Sequence, residues 1–286
     1  MRIFFAVLAI VFAAVGYYFF SVNDTSADLD ERWATYSESS ESEVDHSEWQ
    51  LILDDYLISD TDSGVNLFDY SGLLDDGREP LDDYVTSMVS VDPLGLNRQE
   101  QKAYWINLYN ALTVQLILNH FPTASITELG SNPLEFGPWN EVAASVNGTE
   151  LSLNDIEHRI IRPLYDDYRI HFAVNCASIG CPNLATEVFT ADALDEQLDR
   201  AASEYLNHPR GIFMEGDELR LSSLFDWYAD DFGEDQNAVL ETLSRHSTAT
   251  DVEALTGFSG TPVYEYDWGL NGYCSIDNEC GQQAEL

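Results

Sequence analysis

Residues 97–120 read NRQEQKAYWINLYNALTVQLILNH, and this stretch decides the fold class. Asn97 is a preferred helix N-cap residue, and Glu100 stands three residues on, at the spacing of a capping box. The run continues without Gly or Pro to His120, and Pro122 closes it. Between Ala103 and Leu118 it is apolar nearly all round, broken by Asn107, Asn110, Thr113 and Gln115. A helix with no polar face is central and buried.

Outward from that helix, Trp49–Ile58 and Pro80–Val89 read as amphipathic helices on its N-terminal side. On the other side, Val142–Leu153 reads as a hairpin turning at Asn147-Gly148, a pair that tolerates the positive φ angles of a type I′ turn. Ser152 and Asp155 are spaced to cap a helix reaching about Arg162, where Pro163 follows. Arg169–Asn175 alternates, with Ile170, Phe172 and Val174 on one face, and is expected to be a short buried strand. It ends in the loop Cys-Ala-Ser-Ile-Gly-Cys-Pro, 176–182. A helix is expected over Ala191–Asn207, a second hairpin at Glu215-Gly216-Asp217, and helices over Leu224–Ala229 and Asn237–His246. The class is α+β: one mostly helical domain with a long central buried helix, two small β-hairpins and a short buried strand.

The N-terminus carries a different signal. From Ile3 to Phe20 there is no charge, and about 20 apolar residues span a bilayer core of about 30 Å, against about 7–15 in a cleavable signal. Arg2 before the run and Asp24, Asp28, Asp30 and Glu31 after it orient the chain outward. Residues 1–21 are therefore read as a membrane anchor or signal segment. Residues 22–47 read as an acidic Ser/Asp/Glu-rich tether, 48–271 as the globular domain, and 272–286 as a polar tail. The expected placement is exported: anchored and facing the periplasm or cell exterior, or secreted after cleavage at Thr25-Ser26-Ala27.

Fifty-one acidic residues against twelve basic ones, with Lys102 the single lysine, exclude long-range attraction to nucleic acid. The composition resembles that of salt-adapted proteins. Aromatic residues at 12% and hydrophobic ones at 45% still provide for a core. The four cysteines fall as Cys176/Cys181 and Cys274/Cys280, and neither pair has the C-x2-C spacing of zinc ribbons. Cys274/Cys280 reads as a structural disulfide, whereas Cys176/Cys181 leaves a bridge and a free thiol both open.

Cys176 follows the expected strand directly, where a scaffold can present a reactive group to a cleft. A thiol nucleophile needs a base and a group that orients the base. His158 supplies the first type, with Asp155 or Asn154 one helical turn before it. His171 is a rival base, expected on a solvated face. Arg159, Arg162 and Arg169 lie in the same stretch, where guanidiniums lower a thiol pKa and Arg162 can hold a substrate carboxylate. Asn107, Asn110 and Asn175 are the further candidates for substrate contact.

The runs Tyr104-Trp-Ile-Asn-Leu-Tyr-Asn-Ala111, Leu153-Asn-Asp-Ile-Glu-His158 with Arg162, Arg169-Ile-His-Phe-Ala-Val-Asn-Cys176 with Cys181-Pro182, Trp227-Tyr-Ala-Asp-Asp-Phe-Gly233 and Tyr266-Asp-Trp268 resemble, in order and spacing, the domain-of-unknown-function 547 family. The resemblance extends over about Trp49–Asn271 and is to a bacterial-type, exported member. It implies that Glu157, His158, Asn175 and Cys176 occupy pattern positions of the family. Its Cys/His content is similar to that of cysteine hydrolases, with His before Cys as in circularly permuted relatives.

Two functions of different class follow. One is a non-catalytic envelope module that binds a partner protein, with the Asn and Trp/Tyr motifs as core. The alternative is a cysteine-dependent hydrolase or acyl transferase on amide or peptide-like substrates, with Cys176 as nucleophile, His158 as base and Asp155 as its orienter. A metal held by Cys176, Cys181, His158 and His171 is a third reading. The favoured readings require no cofactor and no metal, and the sequence has no EF-hand loop for calcium.

Overall fold

The computed structural model describes residues 27–132, 136–216, 218–248 and 252–273. The apolar run 3–20 and the Cys274/Cys280 pair lie outside the described residues. Among those described, no helix is long and apolar enough to cross a membrane.

The central helix spans Arg98–His120, and its residues from Glu100 to Val114 are all buried. Asn97 caps it, its side chain accepting from the N–H groups of Gln99 and Glu100. The capping box is only half formed, because the Glu100 carboxylate accepts from Val44 N–H instead of reaching back. Around this helix pack Ser47–Tyr56, Tyr70–Asp76 and Glu79–Ser90, through Trp49, Leu53, Leu73, Leu81, Tyr84 and Met88. Trp105 at the helix centre is fully buried and meets Trp33 edge-on at 5.2 Å. Truncating such a residue to Ala costs about 3–5 kcal/mol.

Trp33 belongs to the segment expected to be a tether, and from Asp28 onward that segment is packed on the domain instead. Asp28 N–H and Asp30 N–H donate to the carbonyls of His158 and Arg159, at 3.2 and 3.0 Å. The reason lies in the receiving helix. Pro163 has no N–H to return to the turn before it, so carbonyls there need outside donors. The strap 28–33 supplies them.

Strands are short. Strands β1 (Leu57–Ile58) and β2 (Leu67–Phe68) pair antiparallel. Strands β3 (Val142–Val146) and β4 (Thr149–Ser152) form the expected hairpin, with Asn147 at φ 50° and Gly148 at φ 74°. The second hairpin, β5 (Ile212–Glu215) and β6 (Glu218–Ser222), gains a third strand, β7 (Val263–Glu265), parallel to β6. The helix expected over Ala191–Asn207 spans Leu194–Leu206, and Gln236–Ser244 follows the short helices Leu224–Trp227 and Ala229–Phe232.

Two further expectations are corrected. The buried strand over Arg169–Asn175 is a 3-10 helix, Tyr168–Phe172, running into a loop. Its alternation is real, but His171, Ala173 and Asn175 are as buried as Ile170, Phe172 and Val174, and among the described residues no neighbouring strand pairs with it. Asp167 caps the turn by accepting from Arg169 N–H. The helix opened by Ser152 and Asp155 does not stop at Arg162. It forms a π-helix over Asp155–Ile161, closed by Arg162 N–H on the Glu157 carbonyl, and continues as an α-helix, Arg162–Tyr165, with Pro163 in its first turn. Ile156, Ile160 and Ile161 anchor it in the main core. A smaller core forms around Phe172, Tyr205, Phe225, Phe232 and Leu240.

Candidate active site

The loop 175–181 is built by side chains that satisfy its backbone. Asn110, on the central helix, accepts from Asn175 N–H at 2.8 Å and donates to the Ala173 carbonyl at 2.9 Å. Asn175 accepts from Ala177 N–H at 2.9 Å and donates to the Pro182 carbonyl at 2.8 Å. Asn107 clamps Phe189 in the same two-handed way, at 2.7 and 3.0 Å. These three asparagines, expected at a substrate, are consumed by the fold and do not line the cavity.

From the other side the C-terminal segment closes on the loop. Ile179 N–H and Gly180 N–H donate to the carbonyls of Gly269 and Asp267, each at 2.8 Å, and Asn271 N–H donates to the Ala177 carbonyl. A Cβ on Gly180 would meet the Asp267 backbone at 2.7 Å, so the close approach requires glycine. Ala177, next to the cysteine, sits at φ 58°, a region few non-glycine residues enter and one where strained residues gather at functional sites.

Cys176 is free and partly exposed, at the wall of a cavity of about 70 Å³. That is room for a few waters or a small group. Its Sγ lies 3.1 Å from Ser178 Oγ and 3.0 Å from the Tyr266 hydroxyl, and these two oxygens are 3.0 Å apart. Cys181, also free, lies behind and accepts from Cys176 N–H at 3.0 Å. Burial alone would raise the Cys176 pKa, but hydrogen bonds to its sulfur from Cys181, Ser178 and Tyr266 hold it below the ordinary thiol value. Burial pushes the Cys181 thiol well up, and its bond to Cys176 adds to the rise.

His158, Glu157 and His171 face the same cavity. Glu157 accepts from the Tyr109 hydroxyl at 2.9 Å. His171 is buried, not solvated as its alternation implies, and donates through Nε2 to Asp231 Oδ2 at 2.6 Å while stacking on Tyr228 at 4.3 Å. Asp231 also receives Arg162 Nε and Nη2, at 2.6 and 2.9 Å. Burial would raise the Asp231 pKa, but His171 and Arg162 hold it well below the usual carboxylate range. Arg162 Nη1 donates to His158 Nδ1 at 3.0 Å. A guanidinium can only donate, so the neutral His158 ring carries its proton on Nε2. Burial lowers the His158 pKa; the Glu157 charge opposes this and Arg162 adds to it.

Cys176 and His158 thus share the cavity with no hydrogen bond between them. Asp155, expected to orient His158, serves the chain locally: it exchanges hydrogen bonds with Ser152, at 2.8–3.0 Å, and pairs with Arg159 at 3.4 Å. Arg162, expected to hold substrate, is buried and committed to Asp231 and His158. Asn154 lines the cavity and bonds to Asn140. The side chains considered as metal donors are not gathered into one set: among the described residues no group of three or more His, Cys, Asp and Glu is placed to hold an ion.

Sequence reasoning missed Tyr266, Ser178, Asp231 and the aromatic wall of Phe136, Trp139, Trp227 and Trp268. The rings of that wall lie 5.2–6.0 Å apart. Trp227 and Asp231 stand in the run Trp227–Gly233, and Tyr266 and Trp268 in the run Tyr266–Trp268, so the motifs themselves were the signal for these four.

The family model described as "Protein of unknown function, DUF547" matches residues 93–206, from the turn before the central helix to the end of Leu194–Leu206. The chain is similar to that family over this span, and Glu157, His158, Asn175 and Cys176 all lie inside it. Comparison with curated proteins and with solved structures gives no match.

Proposed function

We propose that the domain is a thiol-dependent hydrolase or acyl transferase acting on amide or peptide-like substrates, with Cys176 as nucleophile. The observation that carries it is a partly exposed sulfur, its acidity increased by Ser178 and Tyr266, opening into a cavity with buried Glu157, His158 and His171. Such a thiolate attacks a carbonyl carbon, displaces the leaving amine or alcohol and forms a thioester that water or an acceptor resolves. His158 serves as a donor, not as the base. Its Nε2–H is the polar group the ring can offer to a developing oxyanion. Arg162 and Asp231 hold that tautomer, and Asp155 has no part.

The test is acylation. The protein is incubated with an activated acyl ester, and the adduct is mapped by mass spectrometry. The expected result is one acyl group on Cys176 and none in Cys176→Ala. Turnover unchanged in Cys176→Ala would sink the proposal.

The aromatic wall favours a second reading, a non-catalytic envelope module whose Trp139, Trp227 and Trp268 receive a partner. Trp227 and Trp268 are partly exposed, and Trp139 packs beside them. On that reading Cys176→Ala retains full partner binding. Either activity is proposed to work outside the cytoplasm, the chain being held by residues 3–20 or released by cleavage. The uncharged run and the acids that follow it support that placement.

A further inference from the structure

We propose that Cys176 and Cys181 form a dithiol couple whose oxidising substrate is a hydroperoxide. The two sulfurs belong to one tight loop and face one cavity, and Cys176 N–H donates to Cys181 Sγ at 3.0 Å. Cys176 is the accessible member, whereas Cys181 is 3% exposed. Their acidities are split in the sense such a couple needs. Hydrogen bonds from Cys181, Ser178 and Tyr266 lower the pKa of the first thiol against the effect of burial, whereas burial and the bond to Cys176 raise that of the second. A low-pKa accessible thiol beside a resolving cysteine is the arrangement that peroxide oxidation selects.

The steps balance. The Cys176 thiolate attacks the terminal oxygen of R–O–O–H, the O–O bond breaks, and RO⁻ leaves to take a proton as ROH. The product is Cys176–S–OH. The Cys181 sulfur then attacks the Cys176 sulfur, the S–O bond breaks, and hydroxide leaves with the Cys181 proton as water. The loop ends as a Cys176–Cys181 disulfide, two electrons having passed to the hydroperoxide, and an external dithiol returns them. Ser178 and Tyr266, within hydrogen-bond reach of the attacking sulfur, are positioned to protonate or stabilise the leaving oxygen. That oxidation also arrests acyl transfer rests on the reading of Cys176 given above; the couple itself does not.

The experiment uses the full chain with Cys274→Ser and Cys280→Ser, reduced, exposed to hydrogen peroxide, alkylated and digested. The expected product is a linked Cys176–Cys181 peptide lighter by two hydrogens, restored by dithiothreitol. In Cys181→Ala the same treatment should leave a dimedone-reactive sulfenic acid on Cys176. The chain with Cys176 and Cys181 intact overturns the couple if its Cys176 passes to sulfinic acid while Cys181 still alkylates, or if both thiols survive unmodified. Because the chain with both thiols intact decides the matter, a folding defect in Cys181→Ala leaves it decidable. Disulfide formation without acylation of Cys176 by an activated ester keeps the couple and removes the hydrolase reading, and the reverse pattern does the opposite.

Discussion

The Tyr266 hydroxyl lies 3.0 Å from Cys176 Sγ across 90 residues of chain, delivered by the strand Val263–Glu265 that ends just before it. The thiol is therefore tuned by a hydroxyl from the far end of the domain. Tyr266→Phe and Ser178→Ala should each raise the apparent pKa of Cys176 alkylation toward about 8.5, the unperturbed value. His158→Ala should leave it in place while reducing acyl transfer, by about 10²-fold for loss of one oxyanion donor. Alkylation rates across pH give the first result and single-turnover acylation the second. A thiol pKa that rises in His158→Ala alone would return His158 to the role of base.

The His158 tautomer is itself a prediction. Long-range proton–nitrogen NMR on the labelled protein at neutral pH should report Nε2 protonated and Nδ1 bare, because Arg162 occupies Nδ1. A ring protonated on Nδ1 would contradict the arrangement. Removing Arg162 leaves Asp231 with His171 as its remaining partner and should lower stability, read from urea unfolding.

The long helix was legible because its signals are local: a cap at Asn97 and apolar residues all round. Asn147-Gly148 was legible for the same reason, since two adjacent residues determine the turn. What failed was whatever depended on distant chain. Alternation in Ile170, Phe172 and Val174 implies a strand only if a neighbour exists, and burial on both sides erases the distinction. The types at Cys176 and His158 were readable, but not Arg162 on the imidazole, nor Asp231 joining Arg162 to His171 across 60 residues or more. Asparagines in an apolar helix invite a catalytic reading, because burying an amide is costly unless it has work to do. Clamping a loop is such work, and its partners lie 63 to 82 residues away along the chain, out of reach of any local pattern.

Asn110→Ala should lower stability and disturb the thiol together. It leaves Asn175 N–H and the Ala173 carbonyl buried without partners, each at a cost of about 1–3 kcal/mol. Asn110→Asp keeps the acceptor for Asn175 N–H but sets a buried carboxylate against the Ala173 carbonyl, so it should lose stability as well. Unfolding and alkylation measured on both variants check this, and a wild-type melt in Asn110→Ala would refute the clamp.

Acid should destabilise the fold before most carboxylates titrate. Burial pushes the His46 imidazole down to about 4, against the opposing charge of Asp45. The unfolded chain binds that proton near its ordinary value of 6.5. Between those two values the unfolded state holds more protons, so stability falls as pH drops through the window, by roughly 3 kcal/mol from this group. His158, lowered in the same direction, adds to the loss. Unfolding from pH 7 to pH 4 should show a shallower slope in His46→Phe, and an identical slope would exonerate His46.

Salt should stabilise. A formal charge of −39 repels itself, and the screening length shortens from about 10 Å at 0.1 M to about 3 Å at 1 M. The melting temperature in sodium chloride is expected to climb over that range, and a flat response would remove the salt-adapted reading.

The strap that closes on the His158 and Arg159 carbonyls also sets a leash. With residues 3–20 held in the bilayer as proposed, residues 21–27 reach at most about 25 Å when fully extended. From Asp28 the chain is already bound to the helix that carries His158. The cavity would then patrol a thin layer over the membrane, meeting surface-bound molecules in two dimensions and freely diffusing ones rarely. Cleavage before Asp28 would convert that patrol into free search and leave every contact described for the site in place.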